Sequence, residues 1–371
     1  SNGPSKYGKN CMLLRWFKSL PLPLLRNALI LMTVGVFFVY SAAFRSSGDF
    51  AVRQSAWLGV SLLFFVLTVQ LGYRYFLGIS YAFYVLAIAL LVGVDFFGAV
   101  RLGAQRWIEL GPFSFQPSEF AKLATVLALA NFLGSRNPWE GEWKAIGTAV
   151  LVVGLPLVLI LKQPDLGSAV LLIPLGVFLL FLWGIRLRYL VASFMGGLLA
   201  SPFLWNLLKD YQKKRILVFL NPQLDPLGAG YTAIQSRIAV GSGGLFGKGW
   251  LHGSQSQLDF VPEHHTDFIF SVIGEELGFF GSFFLILLYG LLFYQIFQVM
   301  EKTTDIKGRL LVLGVLSLLF FQFLINVGMS FGLFPITGIT LPLVSYGGSS
   351  LVASTVALGL IASVYKERSI F

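Results

Sequence analysis

The chain of 371 residues has one cysteine, three histidines and little charge: Asp, Glu, Lys and Arg make up 12% of it, against about 25% in soluble proteins. Each scarcity excludes something. The lone Cys11 excludes a disulfide framework and any cysteine-based zinc site. His252, His264 and His265 form no H-E-x-x-H pattern, and the adjacent pair must diverge, so a histidine zinc centre is not expected. With 56% hydrophobic residues and a mean hydropathy of +0.78, the polar surface is too small to cover a water-soluble body. A cytosolic enzyme, a disordered chain and a nucleic-acid module are excluded, and lipid must be the main solvent.

What the sequence does hold is apolar runs near the ~20 residues that a transmembrane helix requires. They fall at about 27–44, 56–71, 75–97, 118–133, 145–161, 166–183, 189–207, 267–300, 309–334 and 351–365. The expected fold is therefore an all-α integral membrane protein of about ten spans. A long extracytoplasmic loop, about 208–266, separates the seventh span from the eighth. The run after Asp267 exceeds the hydrocarbon thickness, so its ends are expected to protrude or tilt. Residues 1–11 read as a disordered tail foreign to the native chain and 12–371 as a single polytopic domain. The first twenty residues are polar and basic, so no cleavable signal peptide is expected.

Ten spans place both termini on one side, and the net charge of +10 indicates which. With the N-terminus inside, fifteen basic residues fall in inner segments, against five in short outer loops: Arg45, Arg53, Arg101, Arg106 and Lys162. The positive-inside rule puts both ends in the cytoplasm.

Ionisable residues at the membrane are the informative ones. Glu119, Asp165 and Asp267 open the fourth, sixth and eighth spans, all running from outside to inside, so three carboxylates share the outer face. Lys122 follows Glu119 by three residues on the same helical face. Helix capping accounts for each acid singly, and an i,i+3 ion pair accounts for Glu119 with Lys122. The cation one turn deeper favours a site over three unrelated caps. Glu275 and Glu276 are expected near the headgroups, at the top of an over-long helix.

The outer loops add Arg106 beside Trp107, suited to gripping phosphate or to anchoring at the interface. The glycine-rich run 241–249 invites a phosphate-loop reading and fails it: Ser242 stands where the first glycine is required, and Gly249 follows Lys248. A flexible turn is the plainer expectation. The uncharged stretch 334–350 suggests a re-entrant or tightly folded segment, either a lid over an apolar groove or a structural turn. Lys248, Gln235 and Ser345 join Arg106 as expected substrate-binding positions.

Several motifs carry a resemblance. They are Gly103 to Trp107, Gln116-Pro117-Ser118-Glu119 with Lys122, Lys162-Gln163-Pro164-Asp165-Leu166-Gly167, Asn221-Pro222 with Asp225-Pro226, the glycines of 230–249, Pro262-Glu263-His264-His265-Thr266-Asp267-Phe268 with Gly274-Glu275-Glu276-Leu277-Gly278, and 335–350. In these the chain resembles the SEDS family of bacterial membrane proteins (shape, elongation, division and sporulation) from first span to last, and its elongation branch more than its division branch. The resemblance implies a peptidoglycan glycosyltransferase that polymerises lipid II at the outer face of the cytoplasmic membrane. It implies work alongside a class B penicillin-binding protein, a transpeptidase, and other elongation-complex membrane proteins. Asp267 carries over as the catalytic residue, Glu119 and Lys122 as a functional pair, and Asp165 as a further site acid. A divalent cation, Mg²⁺ or Mn²⁺, carries over with Asp267 as its ligand; no nucleotide is expected. A lipid II flippase and a non-catalytic cell-wall scaffold are the rival readings.

Overall fold

The computed structural model describes residues 19–44, 49–101, 104–110, 113–137, 142–208, 210–226, 228–258 and 260–368. The expected tail 1–11, Arg45 and Gly103 lie outside these. The chain folds as α1 (Leu22–Ala42), α2 (Asp49–Leu71), α3 (Tyr73–Gly78), α4 (Ser80–Phe97), β1 (Ala99–Arg101), β2 (Ala104–Leu110), β3 (Phe113–Phe115), α5 (Pro117–Gly134), α6 (Glu142–Lys162), α7 (Leu166–Trp183), α8 (Leu187–Leu207), α9 (Asp210–Leu220), α10 (Ala229–Ser242), α11 (Ser254–Gln257), α12 (Ile269–Glu301), α13 (Ile306–Phe331) and α14 (Gly348–Arg368). Among the described residues, eight helices are long and apolar enough to cross a membrane: α1, α2, α4, α6, α7, α12, α13 and α14. Helices α5 and α8 stand where the fourth and seventh spans are expected; α5 carries Glu119 and Lys122 within its first two turns.

Helices α13 and α14 are the most enclosed of the candidate spans. Without a hydrophobic drive between helices in lipid, close approach of small residues sustains the packing. A Cβ on Gly314 of α13 would meet Val126 of α5 at 2.6 Å, and one on Gly359 of α14 would meet Thr68 of α2 at 3.0 Å.

Three features depart from the sequence expectations. First, the third span is not continuous from 75 to 97. The short α3 ends at Gly78, α4 begins at Ser80, and the carbonyl of Leu77 is taken up by the Asn131 amide at 3.0 Å. Second, the connection after α4 holds an antiparallel sheet of order β1-β2-β3, pairing Val100 with Gln105 and Ile108 with Phe115. Its alternating residues were masked in the sequence by the stronger signal of the spans. Third, α12 is broken at Gly278, whose φ of 68° and ψ of −156° leave the helical region.

The break explains the over-long eighth run. At ~1.5 Å per residue, 33 residues would extend ~50 Å. The portion after Gly278 is by itself long enough to span the ~30 Å core. Backbone bonds lost at the break are replaced by the glycine-rich loop. Lys248 N and Gly249 N donate to the carbonyls of Glu275 and Glu276, each at 3.0 Å, while Phe279 N and Phe280 N donate to Gly244 O and Leu245 O at 2.8 and 3.2 Å. Glycine is required there: a Cβ on Gly247 would lie 2.1 Å from the Glu276 carbonyl oxygen. Run 241–249 is thus a clasp around a broken helix, neither a phosphate cradle nor a loose turn.

The acids beside the break are enclosed by protein. Glu275 and Glu276 are both fully buried. Glu275 accepts from Lys248 Nζ (2.7 Å), Ser254 Oγ (3.1 Å) and Gln255 N (2.9 Å), and Glu276 accepts from Ser41 Oγ at 2.5 Å. The loop supplies the partners of Glu275 and α1 supplies Ser41 to Glu276, and the sequence spacing does not reveal them. The loop as a whole is largely helical and folds back on the bundle, with Ser236 of α10 sharing a hydrogen bond with Ser271 of α12 at 2.8 Å.

Candidate active site

The residue that opens the eighth span is not a cap. Helix α12 starts at Ile269 with no side-chain cap. Asp267 instead ends a turn in which Thr266 N and Asp267 N both donate to Glu263 O at 3.1 Å. His264 pins this turn: its ring nitrogens lie 2.9 Å from Val261 O and 2.8 Å from Ala42 O at the end of α1. Packing of His265 against Phe50, with ring centres 4.7 Å apart, fixes the other side.

The uncharged segment between α13 and α14 closes around the turn. Tyr346 N donates to His265 O at 3.1 Å, and Ser345 Oγ donates to Thr266 O. Gln322 of α13 donates to Thr340 O at 3.1 Å, Tyr289 to Pro342 O, and Gln54 of α2 to Ser345 O at 3.2 Å. Residues 341–345 are buried. A segment tied from so many elements is scaffold rather than a lid. At its centre Asn326 of α13 donates through one amide nitrogen to Asp267 O at 2.8 Å and Ile339 O at 2.6 Å.

The scaffold leaves the Asp267 side chain open. Among the described residues no hydrogen bond reaches its carboxylate. Gly338, at φ +74°, passes so close that a Cβ there would be 3.3 Å from Asp267 Oδ2 and 3.9 Å from Arg106 Nη1. Arg106 comes from the middle of β2, held by Gln163 O at 3.2 Å and by Pro164 O. Its Nη1 lies 3.8 Å from Asp165 Oδ1.

Asp165 does cap a helix: Oδ1 accepts from Ser168 N of α7 at 3.2 Å. Its Oδ2 accepts from Gln116 and Ser118, both at 3.3 Å. Both oxygens of this buried carboxylate are therefore engaged, and it positions Arg106 and the start of α5. Helix α7 approaches so closely that a Cβ on Gly167 would strike Ile339 and Thr337 O.

Electrostatics single out Asp267. The carboxyl is pushed up to about 7, first by desolvation, then by the negative charge of Glu263; Arg106 pulls it down, Asp165 pushes it up, and Arg215 of α9 pulls it down. An acid poised near neutrality with an open carboxylate suits general-base work.

Of the other residues expected at the site, Glu119 and Lys122 form a buried ion pair at 2.7 Å, next to Ser118 but complete in itself. Ser345 lies behind the Asp267 turn. Lys248 is engaged by Glu275 at the α12 break. Gln235 is half-buried on α10, beside the Ser236–Ser271 contact. The sequence reading overlooked Asn326, Gly338 and Arg215. An asparagine inside an apolar span is a detectable signal, since burying an amide there requires partners.

Among the described residues no three Asp, Glu, His or Cys side chains converge, so there is no protein cage. One open carboxylate, Asp267, suits a cation completed by phosphate oxygens and water, as Mg²⁺ commonly is.

Relatives share this architecture over nearly its whole length. Peptidoglycan glycosyltransferase MrdB of Escherichia coli (strain K12) is 41% identical over 341 residues, 92% of each chain. A chain from a peptidoglycan synthase complex, whose polymerisation and crosslinking are structurally coordinated, superposes with a TM-score of 0.81 at 35% identity, covering 93% of this chain and 97% of that one. The crystal structure of the Rod shape determining protein RodA of Thermus thermophilus gives 0.71 at 33% identity, with 93% and 96% covered. A family model described as "Cell cycle protein", for FtsW, RodA and SpoVE, matches residues 22–370. The chain belongs to this family, the SEDS family that its motifs resemble.

Proposed function

We propose that this protein is the peptidoglycan glycosyltransferase of a cell-elongation complex, polymerising lipid II at the outer face of the bacterial cytoplasmic membrane with Asp267 as its general base. One observation carries the reading: at the head of a membrane helix, an open carboxylate raised to about 7 sits next to a buried-stem arginine.

Lipid II is a disaccharide-pentapeptide joined through pyrophosphate to a polyprenyl chain, so the donor is already activated and no nucleotide is needed. The 4-hydroxyl of the acceptor sugar attacks the donor's anomeric carbon. The new C–O bond forms as the bond to pyrophosphate breaks, the electron pair leaves with polyprenyl pyrophosphate, and the α linkage becomes β. Asp267 takes the hydroxyl proton. Arg106 offsets charge developing on the leaving pyrophosphate. Asp165 orients Arg106, and Glu119 with Lys122 holds the top of α5 in place. A divalent cation held by Asp267 would add positive charge at the pyrophosphate. Of the other expected substrate-binding positions, Ser345 braces the Asp267 turn through Thr266 O, Lys248 is committed to Glu275, and Gln235 on α10 is kept as a substrate-binding position.

The two termini are placed in the cytoplasm, with ten spans, on the distribution of basic residues. The synthase-complex neighbour supports a class B penicillin-binding protein, a transpeptidase, as the partner that crosslinks the strands.

The test supplies the purified protein and its partner transpeptidase with labelled lipid II and Mg²⁺ or Mn²⁺. Glycan ladders should form. Translocation of lipid II in vesicles without any ladder would overturn the assignment in favour of a flippase.

A further inference from the structure

The end of the bundle away from Asp267 contains a cavity of about 350 Å³, lined by Arg74, Leu77, Gly78, Asn131, Asp305 and Lys307. Helix α14 measures the separation. Its first turn bonds to the site region, Ser349 Oγ accepting from Gln116 N at 3.1 Å, and near its last turn Glu367 pairs with Arg74 at 2.9 Å. Twenty-one residues at ~1.5 Å each give ~30 Å, one hydrocarbon thickness. The cavity therefore lies at headgroup level on the opposite membrane face.

Its cations have donors to spare. Lys307 Nζ donates to Asn131 Oδ1 at 3.0 Å, a neutral acceptor, and no carboxylate pairs with it among the described residues. An ammonium has three donors, so two remain. Arg74 uses Nε on Glu367 and on Tyr73 OH, and its side chain is 63% exposed. Among the described residues its Nη groups make no hydrogen bond. One oxygen of the acid in the lining is engaged: Asp305 Oδ2 accepts from Tyr73 OH at 3.0 Å and from Gly308 N at 2.9 Å, capping α13. The Asn131 amide donors are held by Leu77 O and Ser80 Oγ, which makes the wall rigid. Leu71, Tyr75 and Ile79, beside Arg74 and Leu77 in the chain, are exposed apolar groups suited to acyl chains.

We propose that this cavity binds the phosphate of an anionic phospholipid in the leaflet facing away from Asp267, with Lys307 and Arg74 donating to its oxygens. Basic pockets between membrane helices on the cytoplasmic side hold phospholipid head groups by the same chemistry. The site is separate from the reaction centre, and its occupancy fixes the junction of α3, α5, α13 and α14.

The experiment uses the full-length protein in detergent, titrated with dioleoylphosphatidylglycerol, dioleoylphosphatidylcholine or water-soluble glycerol 3-phosphate, with melting temperature as readout. Phosphatidylglycerol should raise the melting temperature and phosphatidylcholine should not. Lys307→Gln, which keeps a donor for Asn131, and Arg74→Gln should each weaken the phosphatidylglycerol response about tenfold, with lipid-free melting close to wild type. An equal response to both lipids, or an unchanged response in both variants, would overturn the proposal. A response to glycerol 3-phosphate matching that to phosphatidylglycerol would overturn the lipid assignment in favour of a soluble phosphate. If a variant does not fold, native mass spectra of the wild type decide: retention of phosphatidylglycerol over phosphatidylcholine supports the site, and equal retention refutes it.

Discussion

Asn326 and Asp267 are joined by a hydrogen bond that links an apolar helix to the Asp267 turn: the Asn326 amide nitrogen donates to Asp267 O at 2.8 Å and to Ile339 O at 2.6 Å. The Asp267 turn and the segment carrying Gly338 are thereby fixed to each other. Asn326→Ala leaves two carbonyls without this donor, each loss worth about 1 kcal/mol, and loosens the gap between Gly338 and Asp267. Turnover should fall by about 10- to 100-fold with little change in KM for lipid II. A rise in KM alone, with turnover intact, would contradict a positioning role.

The raised carboxyl of Asp267 has a consequence for stability. Its unfolded value is about 3.9, so the folded protein binds this proton more tightly. Stability from the group is full below about pH 4 and is lost as pH rises through about 7. Asp267→Asn removes that loss. Thermal unfolding should show the variant melting above wild type at pH 8, with the difference shrinking at pH 5. A variant melting below wild type at pH 8 would show that the carboxylate is stabilised where it sits.

The broken helix depends on one glycine. At φ 68° and ψ −156°, Gly278 occupies a region that residues with a Cβ avoid, and a Cβ there would lie 2.3 Å from Gly247 N. Gly278→Ala should cost more than about 2 kcal/mol and release the 243–249 clasp. Limited proteolysis of that loop and a lowered melting temperature are the readouts.

Glu119 and Lys122 are buried, and among the described residues each has only the other as charged partner. Removing one leaves an uncompensated charge, at a cost of about 3–5 kcal/mol, whereas removing both does not. Lys122→Met should express poorly, and Glu119→Gln combined with Lys122→Met should recover folding and more activity than either single change. Equal inactivity in a well-folded double variant would instead assign the pair a part in the chemistry.

Most of the apolar helices, their order and the position of Asp165 and Asp267 just before helix starts were legible in the sequence because apolar length and misplaced charge are local signals. Glu119 with Lys122 was legible for the same reason, as an i,i+3 pair. What escaped depended on distant partners. The enclosure of Glu275 and Glu276 was not legible, because their partners Lys248 and Ser41 lie elsewhere in the chain. The glycine run 241–249 had a function only once the break at Gly278 was known, because its N–H groups answer carbonyls freed there. Asp165 read as either cap or site acid and is both, since Ser168 lies on one side of it and Arg106 on the other.

The most direct measurement is the rate of lipid II polymerisation by Asp267→Asn, at matched folded concentration and saturating substrate. The amide is nearly isosteric with the carboxylate and cannot take a proton. The account predicts a fall of about 10²- to 10⁴-fold, and a wild-type rate that climbs with pH through about 7 as Asp267 ionises. Wild-type turnover in the asparagine variant would contradict it.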